Sequence, residues 1–476
     1  MSFARSVVKN VFFKGLGEVL IRGLSFAFMV LVARTLKAAD FGALNFAYSF
    51  PLLFIILADF GFNPLLIREI SRDPGAGARV FGHMLYTKLA LSGAFVVAVV
   101  AGVAVVAPPP GTREAVFLLT GFMLLNSFTE FFTAVFQAHQ QMQWEAGVFT
   151  WQKLLLLAFG LLALGLGWGL RGVAAAYLAA GVCGLAAALW VLRRRKLVAG
   201  AWQWDWAFWQ RAFAQALPLT LTTLFINLYF RIDTTLLTKL RPLSEVGWYG
   251  AAHKCIEVLM VVPAVLVAAT FPTFSKMFAE DLGRLQRAAE RVLHLLFMLA
   301  VPLVVGAVLL ARPLMALVFG PAFAPAGIAL AWLSVALGFI FINYLLSYLL
   351  ISAEHQRLNA LVSGLAVLVS VGANLLLIPR WGFAGAGAAA AVTELILFLA
   401  YAACVRTQVF ALKLSAPGRV LLAGVGMGAV VWLLRAFPVV PLIILGGLVY
   451  AGLLWFLRAV TPEDFRWLRE KMQKVG

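Results

Sequence analysis

This chain is built from apolar stretches that a water-bathed fold has no room to bury. Fourteen can be marked: 11–34, 41–63, 81–106, 115–137, 147–166, 172–192, 211–238, 246–272, 291–311, 326–350, 360–379, 384–405, 418–436 and 440–458. A helix needs about 20 apolar residues to cross the hydrocarbon core of a bilayer, and these runs match that length. The runs are continuous rather than alternating, which points to helices and not to a barrel. Hydrophobic residues make up 63% of the chain and charged residues 12%. A soluble protein carries roughly twice that charge. The expected fold class is an all-α polytopic membrane protein with about 14 transmembrane helices.

The chain is also written twice. WGLRGVAAA begins at Trp168 and WGFAGAGAA at Trp381. Gln137 to Gln141 (QAHQQ) pairs with Ser352 to Gln356 (SAEHQ), and RVFGH, ending at His83, pairs with RVLHL around His294. A weaker pair is Phe41-Gly42 and Val246-Gly247. The pairs occur in order at an offset of about 210 residues, as in transporters made of two halves. They define an N-terminal six-helix lobe at 1–196, a C-terminal six-helix lobe at 197–410, and two extra helices with a tail at 411–476. An even number of spans per lobe makes this a parallel repeat about an axis along the membrane normal.

The net charge is +18, but its placement excludes nucleic acid as the partner. With fourteen spans and an inside N-terminus, the inside segments hold 23 Lys and Arg and the outside segments 9. Arg193, Arg194, Arg195 and Lys196 are the densest inside cluster. Both termini are therefore expected in the cytoplasm, with the lipid bilayer as the partner of the basic excess. Lys14, Glu18 and Arg22 interrupt the first apolar run, and no small-residue cleavage site follows it. Cys183, Cys255 and Cys404 are scattered inside spans and read as core residues. Trp202, Trp204, Trp206 and Trp209 follow the basic cluster, as in an interfacial segment. Loops are short throughout, which argues against a polymerase or ligase needing an extramembrane acceptor domain.

A charge at the bilayer centre costs on the order of 2.5–3.5 kcal/mol, so intramembrane charges mark paired or wet positions. Span 1 carries Lys14, Glu18 and Arg22 on one helix face. Span 7 carries Asn227, Arg231 and Asp233, and span 8 carries His253, Lys254 and Glu257. Arg231 and Lys254 fall at similar depth, with Asn45, Tyr48 and Ser49 of span 2 near that level. Span 4 adds Asn126 and Glu130, span 5 Lys153, and span 12 Glu394. One reading is ion pairing that fixes packing, such as Lys254 with Glu257. The other is a wet cavity between the halves, with Arg22, Arg231 and Lys254 anchoring an anionic headgroup, since the guanidinium fork binds two phosphate oxygens at once. Spans 1 and 7 are repeat equivalents, as are spans 2 and 8, which favours a central site. Asn45 and Asn227 complete that substrate-binding set, and Glu18, Asp233, Glu257 and Glu394 are charge-pair or ion-coupling candidates. Asp59 and Arg68, at the inner end of span 2, read either as a cytoplasmic gate or as a plain helix end. No metal spacing, cofactor loop or nucleophile–base arrangement is visible. Gly424-Val425-Gly426-Met427-Gly428 follows no strand and reads as close helix packing.

The segment VARTLKAADFGALNFAYSFPLLFIILADFGFNPLLIREISR, Val32 to Arg72, resembles the oligosaccharide flippases of the polysaccharide transporter family. These belong to the multidrug/oligosaccharidyl-lipid/polysaccharide exporter superfamily. YFRIDTTLL (Tyr229 to Leu237), VGWYGAAHK (Val246 to Lys254) and the Pro272 region agree in order and spacing. The resemblance implies two six-helix lobes with alternating access. It implies no enzyme, but a flippase that moves undecaprenyl-diphosphate-linked oligosaccharide from the inner to the outer leaflet of the bacterial cytoplasmic membrane. Cations in the cavity would hold the diphosphate, a role Arg22, Arg231 and Lys254 fit by position, and spans 13 and 14 would form a groove for the lipid tail. Glycosyltransferases, a polymerase or a ligase of the same pathway are the implied partners. An ion-coupled multidrug exporter of the same superfamily is the rival, expected to have about twelve spans and an acid-dominated site.

Overall fold

In the computed structural model, residues 23–73, 77–195, 206–414 and 417–459 are described. Among them there are helices and no strands. This is the outcome that an apolar solvent imposes, because a helix satisfies every backbone donor within its own segment.

The helices are α1 (Gly23–Thr35), α2 (Ala38–Leu52), α3 (Ile56–Asp59), α4 (Phe62–Arg72), α5 (Gly77–Val106), α6 (Pro110–Ala138), α7 (Met142–Gly165) and α8 (Gly169–Arg194). They continue as α9 (Trp206–Leu240), α10 (Leu243–Leu259), α11 (Val261–Glu280) and α12 (Leu282–Phe319). After a short 3-10 turn at Pro321–Ala326 come α13 (Gly327–Ser352), α14 (Gln356–Gln408), α15 (Pro417–Leu433) and α16 (Val439–Phe456). Ten helical stretches among the described residues are long and apolar enough to cross a membrane. The chain is a polytopic α-helical membrane protein. Each apolar stretch marked in the sequence falls on helix, the first described from Gly23 onward. Large apolar side chains such as Val97, Leu368 and Phe456 are exposed, as a lipid-facing surface requires.

By packing, the chain divides into two units, Met1–Gly247 and Trp248–Gly476. Within the first unit α9 lies against α2.

The repeated motifs share backbone geometry. Gly169 and Gly382 both have φ of 58°, a left-handed conformation that costs glycine little. The Gly382 turn divides α14 into two helices, and Trp168 and Trp381, just before these glycines, are both exposed. Gln140 and Glu354 are left-handed at φ of 56° and 61°. Around them the helix-end hydrogen bonds match: Gln141 N–H to Phe136 O, and His355 N–H to Leu350 O, each at 2.8 Å. His83 and His294 are both buried. Gly42 and Gly247 meet each other. A β-carbon on Gly42 would run into the Leu243 carbonyl, and one on Gly247 into the Ala38 carbonyl.

Span 2 is broken into α2, α3 and α4. Pro51 cannot donate its backbone nitrogen, and the chain beyond it tightens into i→i−3 bonds, including Phe54 N–H to Pro51 O at 3.0 Å. Phe60 and Gly61 then take left-handed conformations at φ of 37° and 66°. Beyond the bend α4 is amphipathic. Phe62, Leu65, Leu66 and Ile70 are buried, while Arg68 and Arg72 are exposed. Its apolar face joins a core with Phe81, Met84, Phe131, Val135 and Val191.

The C-terminal pair α15 and α16 packs on α12 through Val420, Met427, Leu442 and Leu454. Gly424 and Gly428 sit against Val301 and Val305 of α12, so the glycine run serves close packing. The Tyr450 hydroxyl donates to Met298 O at 2.9 Å, and a His294 ring nitrogen lies 2.9 Å from Ala459 O.

Candidate transport site

Lys14, Glu18, Arg22, Trp202, Trp204 and the tail from Thr461 lie outside the described residues. The other residues singled out in the sequence fall into the two units.

In the first unit, Asn45 of α2 is buried and its amide donates to Phe41 O of its own helix at 3.0 Å. Asn227 and Arg231, one helical turn apart on α9, are half-buried. Asp233 is buried on the same helix and accepts the Thr234 N–H at 2.6 Å. Arg231 and Asp233 are two residues apart, so they project from different faces. Asn126 donates to Glu130 at 2.8 Å, one turn along α6. In the second unit, Lys254 and Glu257 of α10 form an ion pair at 2.6 Å, with His253 3.3 Å from the same carboxylate. The i, i+3 spacing seen in the sequence is thus realised as a local pair. Glu394 of α14 is buried and accepts from Asn343 of α13 at 2.7 Å.

The residues read as a gate have separate partners. Arg68 is exposed and pairs with Glu69 at 2.9 Å. Asp59, at the end of α3, pairs with Lys88 of α5 at 2.7 Å. Lys88 has no exposed surface. Its ammonium also donates to Ser127 of α6 at 2.6 Å and to Ala58 O at 3.2 Å. Lys88 and Asn343 were missed in the sequence. The signal for Lys88 was present, because a lone lysine within the apolar run of α5 is the costliest kind of residue to place there. Among the described residues there is no group of three His, Cys, Asp or Glu arranged to hold a metal ion. The three cysteines are free thiols.

The fold is similar to that of solved membrane transporters. A solved structure of the lipid II flippase MurJ in an inward closed conformation superposes with a TM-score of 0.76 at 14% identity, covering 94% of this chain and 99% of that one. An inward-facing multidrug resistance MATE transporter gives 0.69 at 16% identity, covering 81% and 94%. At such identities the likeness is one of fold. The family model for polysaccharide biosynthesis proteins matches residues 7–278, and the chain belongs to that family. The probable flippase AglR of Haloferax volcanii is 29% identical over 170 residues. That match spans about a third of the relative, 34% of its length and 34% of this chain.

Proposed function

We propose that the protein is a flippase for a polyprenyl-diphosphate-linked oligosaccharide, moving it from the inner to the outer leaflet by alternating access for cell-surface polysaccharide synthesis. The observation that carries this reading is family membership over 7–278 together with the MurJ-like fold. Arg22, Arg231 and Lys254 are assigned to the diphosphate, with Asn45 and Asn227 as polar contacts. Their chemistry suits the cargo, because a diphosphate leaving water needs charged donors to replace its hydration. The Lys254–Glu257 pair is the exception to a purely cationic site, so Lys254 must exchange a carboxylate for phosphate on binding. Glu18, Asp233, Glu257 and Glu394 are assigned to ion coupling or charge balance, and Asp59 and Arg68 to an inner gate.

The work is transport without covalent chemistry. It is placed in a bacterial cytoplasmic membrane with both termini inside, alongside the glycosyltransferases, polymerase or ligase of the same pathway. The second reading, an ion-coupled multidrug exporter, is favoured by the MATE-like fold. Neutralising Arg22, Arg231 and Lys254 together separates the two. The flippase reading expects outer-leaflet display of the glycolipid to fall at least tenfold. Display at the wild-type level would remove this site.

A further inference from the structure

We propose that Lys88 is a positioning residue for transport, holding the bend of span 2 at Phe60-Gly61 in the shape the transport cycle requires. This rests on the flippase reading for the word transport, but not for the bend itself.

The observation is a lysine without exposed surface inside a membrane-spanning helix. An ammonium has three donors, and all three are used: on the Asp59 carboxylate at 2.7 Å, the Ser127 hydroxyl at 2.6 Å and the Ala58 carbonyl at 3.2 Å. Two of those acceptors lie on the last turn of α3, immediately before the bend. There a cation meets both a side-chain charge and the negative end of a helix. Ser127 also donates to the same Asp59 oxygen, so α5 and α6 grip one point of span 2. The next residue, Phe60, is left-handed although it carries a side chain, and its ring packs 4.0 Å from that of Phe213 on α9. A bulky residue keeps such a conformation only where its surroundings over-determine it, and such positions concentrate at functional sites. Charge compensation alone needs only the carboxylate. The additional bonds to a backbone carbonyl and a hydroxyl fix where the chain turns and hence where α4 is directed.

The test reads the bend and transport separately. Spin labels at the exposed positions Ala39 and Arg72 report the end-to-end length of span 2 in the full-length protein, with the three native cysteines replaced. The variant K88M with D59N keeps the charge balanced. We expect it to accumulate in membranes, to shift or broaden the 39–72 distance toward the straight-helix limit of about 50 Å, and to lower glycolipid display at least tenfold. A wild-type distance, or wild-type display with a changed distance, overturns the proposal. If the double variant does not accumulate, S127A replaces it. Normal accumulation with a broadened distance and a several-fold loss of display is expected, and wild-type values for either readout overturn the proposal. The distance measurement needs no substrate, so failure of the flippase reading leaves the bend still decided.

Discussion

At the scale of single residues, this protein spends its stability on a few buried polar groups. Lys88 is the plainest case. Removing one partner of a buried pair strands the other charge, which costs about 3–5 kcal/mol. Asp59→Leu is therefore expected to lower stability by that order in detergent unfolding, and a loss under 1 kcal/mol contradicts the pairing. Glu394 depends on the Asn343 amide. Asn343→Leu removes a donor from a buried carboxylate and is expected to cost about 1–3 kcal/mol, read as a lower thermal midpoint in detergent. The sequence made Glu394, Lys254 and Glu257 visible as charges in apolar runs, and the i, i+3 spacing put Lys254 and Glu257 within reach of each other while leaving a cavity role open. It left the partner of Asp59 hidden. Residues 59 and 88 are far apart in the chain, and periodicity reports which face a residue shares with its own helix but not which helix comes to meet it.

At the scale of elements, the repeat was legible because backbone geometry imposes it. Gly169 and Gly382 are held at one left-handed φ, and a β-carbon there is strained. Gly169→Ala and Gly382→Ala should each destabilise by more than about 1 kcal/mol and by similar amounts. Unequal effects in equilibrium unfolding would break the equivalence of the two turns. The Phe41-Gly42 and Val246-Gly247 pair was the weakest of the sequence matches, yet its glycines meet at a reciprocal crossing. Added carbons at such a contact cost about 1–3 kcal/mol. Because Gly42→Ala and Gly247→Ala open the same crossing, the double variant should lose less than the sum of the singles. Additive losses would mean that the residues act independently. The break in span 2 was less legible. Pro51 and Gly61 were both present, but proline and glycine are tolerated in unbroken membrane helices wherever neighbours satisfy the freed backbone groups.

For the whole molecule, hydropathy carried most of the information. A bilayer leaves a chain of continuous apolar runs little choice but helices, so the class and the positions of the spans followed directly. The candidate site was less accessible to the same reasoning, since a cation's role depends on what surrounds it: Lys254 is paired with the Glu257 carboxylate of its own helix. The central claim is that this chain moves a diphosphate-linked glycolipid across the membrane using Arg22, Arg231 and Lys254. Its most direct test is the sidedness of that glycolipid in cells lacking the protein and any redundant flippase. The account predicts accumulation facing the cytoplasm, restored to the outer leaflet by the wild-type chain and not by the triple neutral variant. Normal outer-leaflet display in the deletion cells would contradict it and leave the ion-coupled exporter as the leading function.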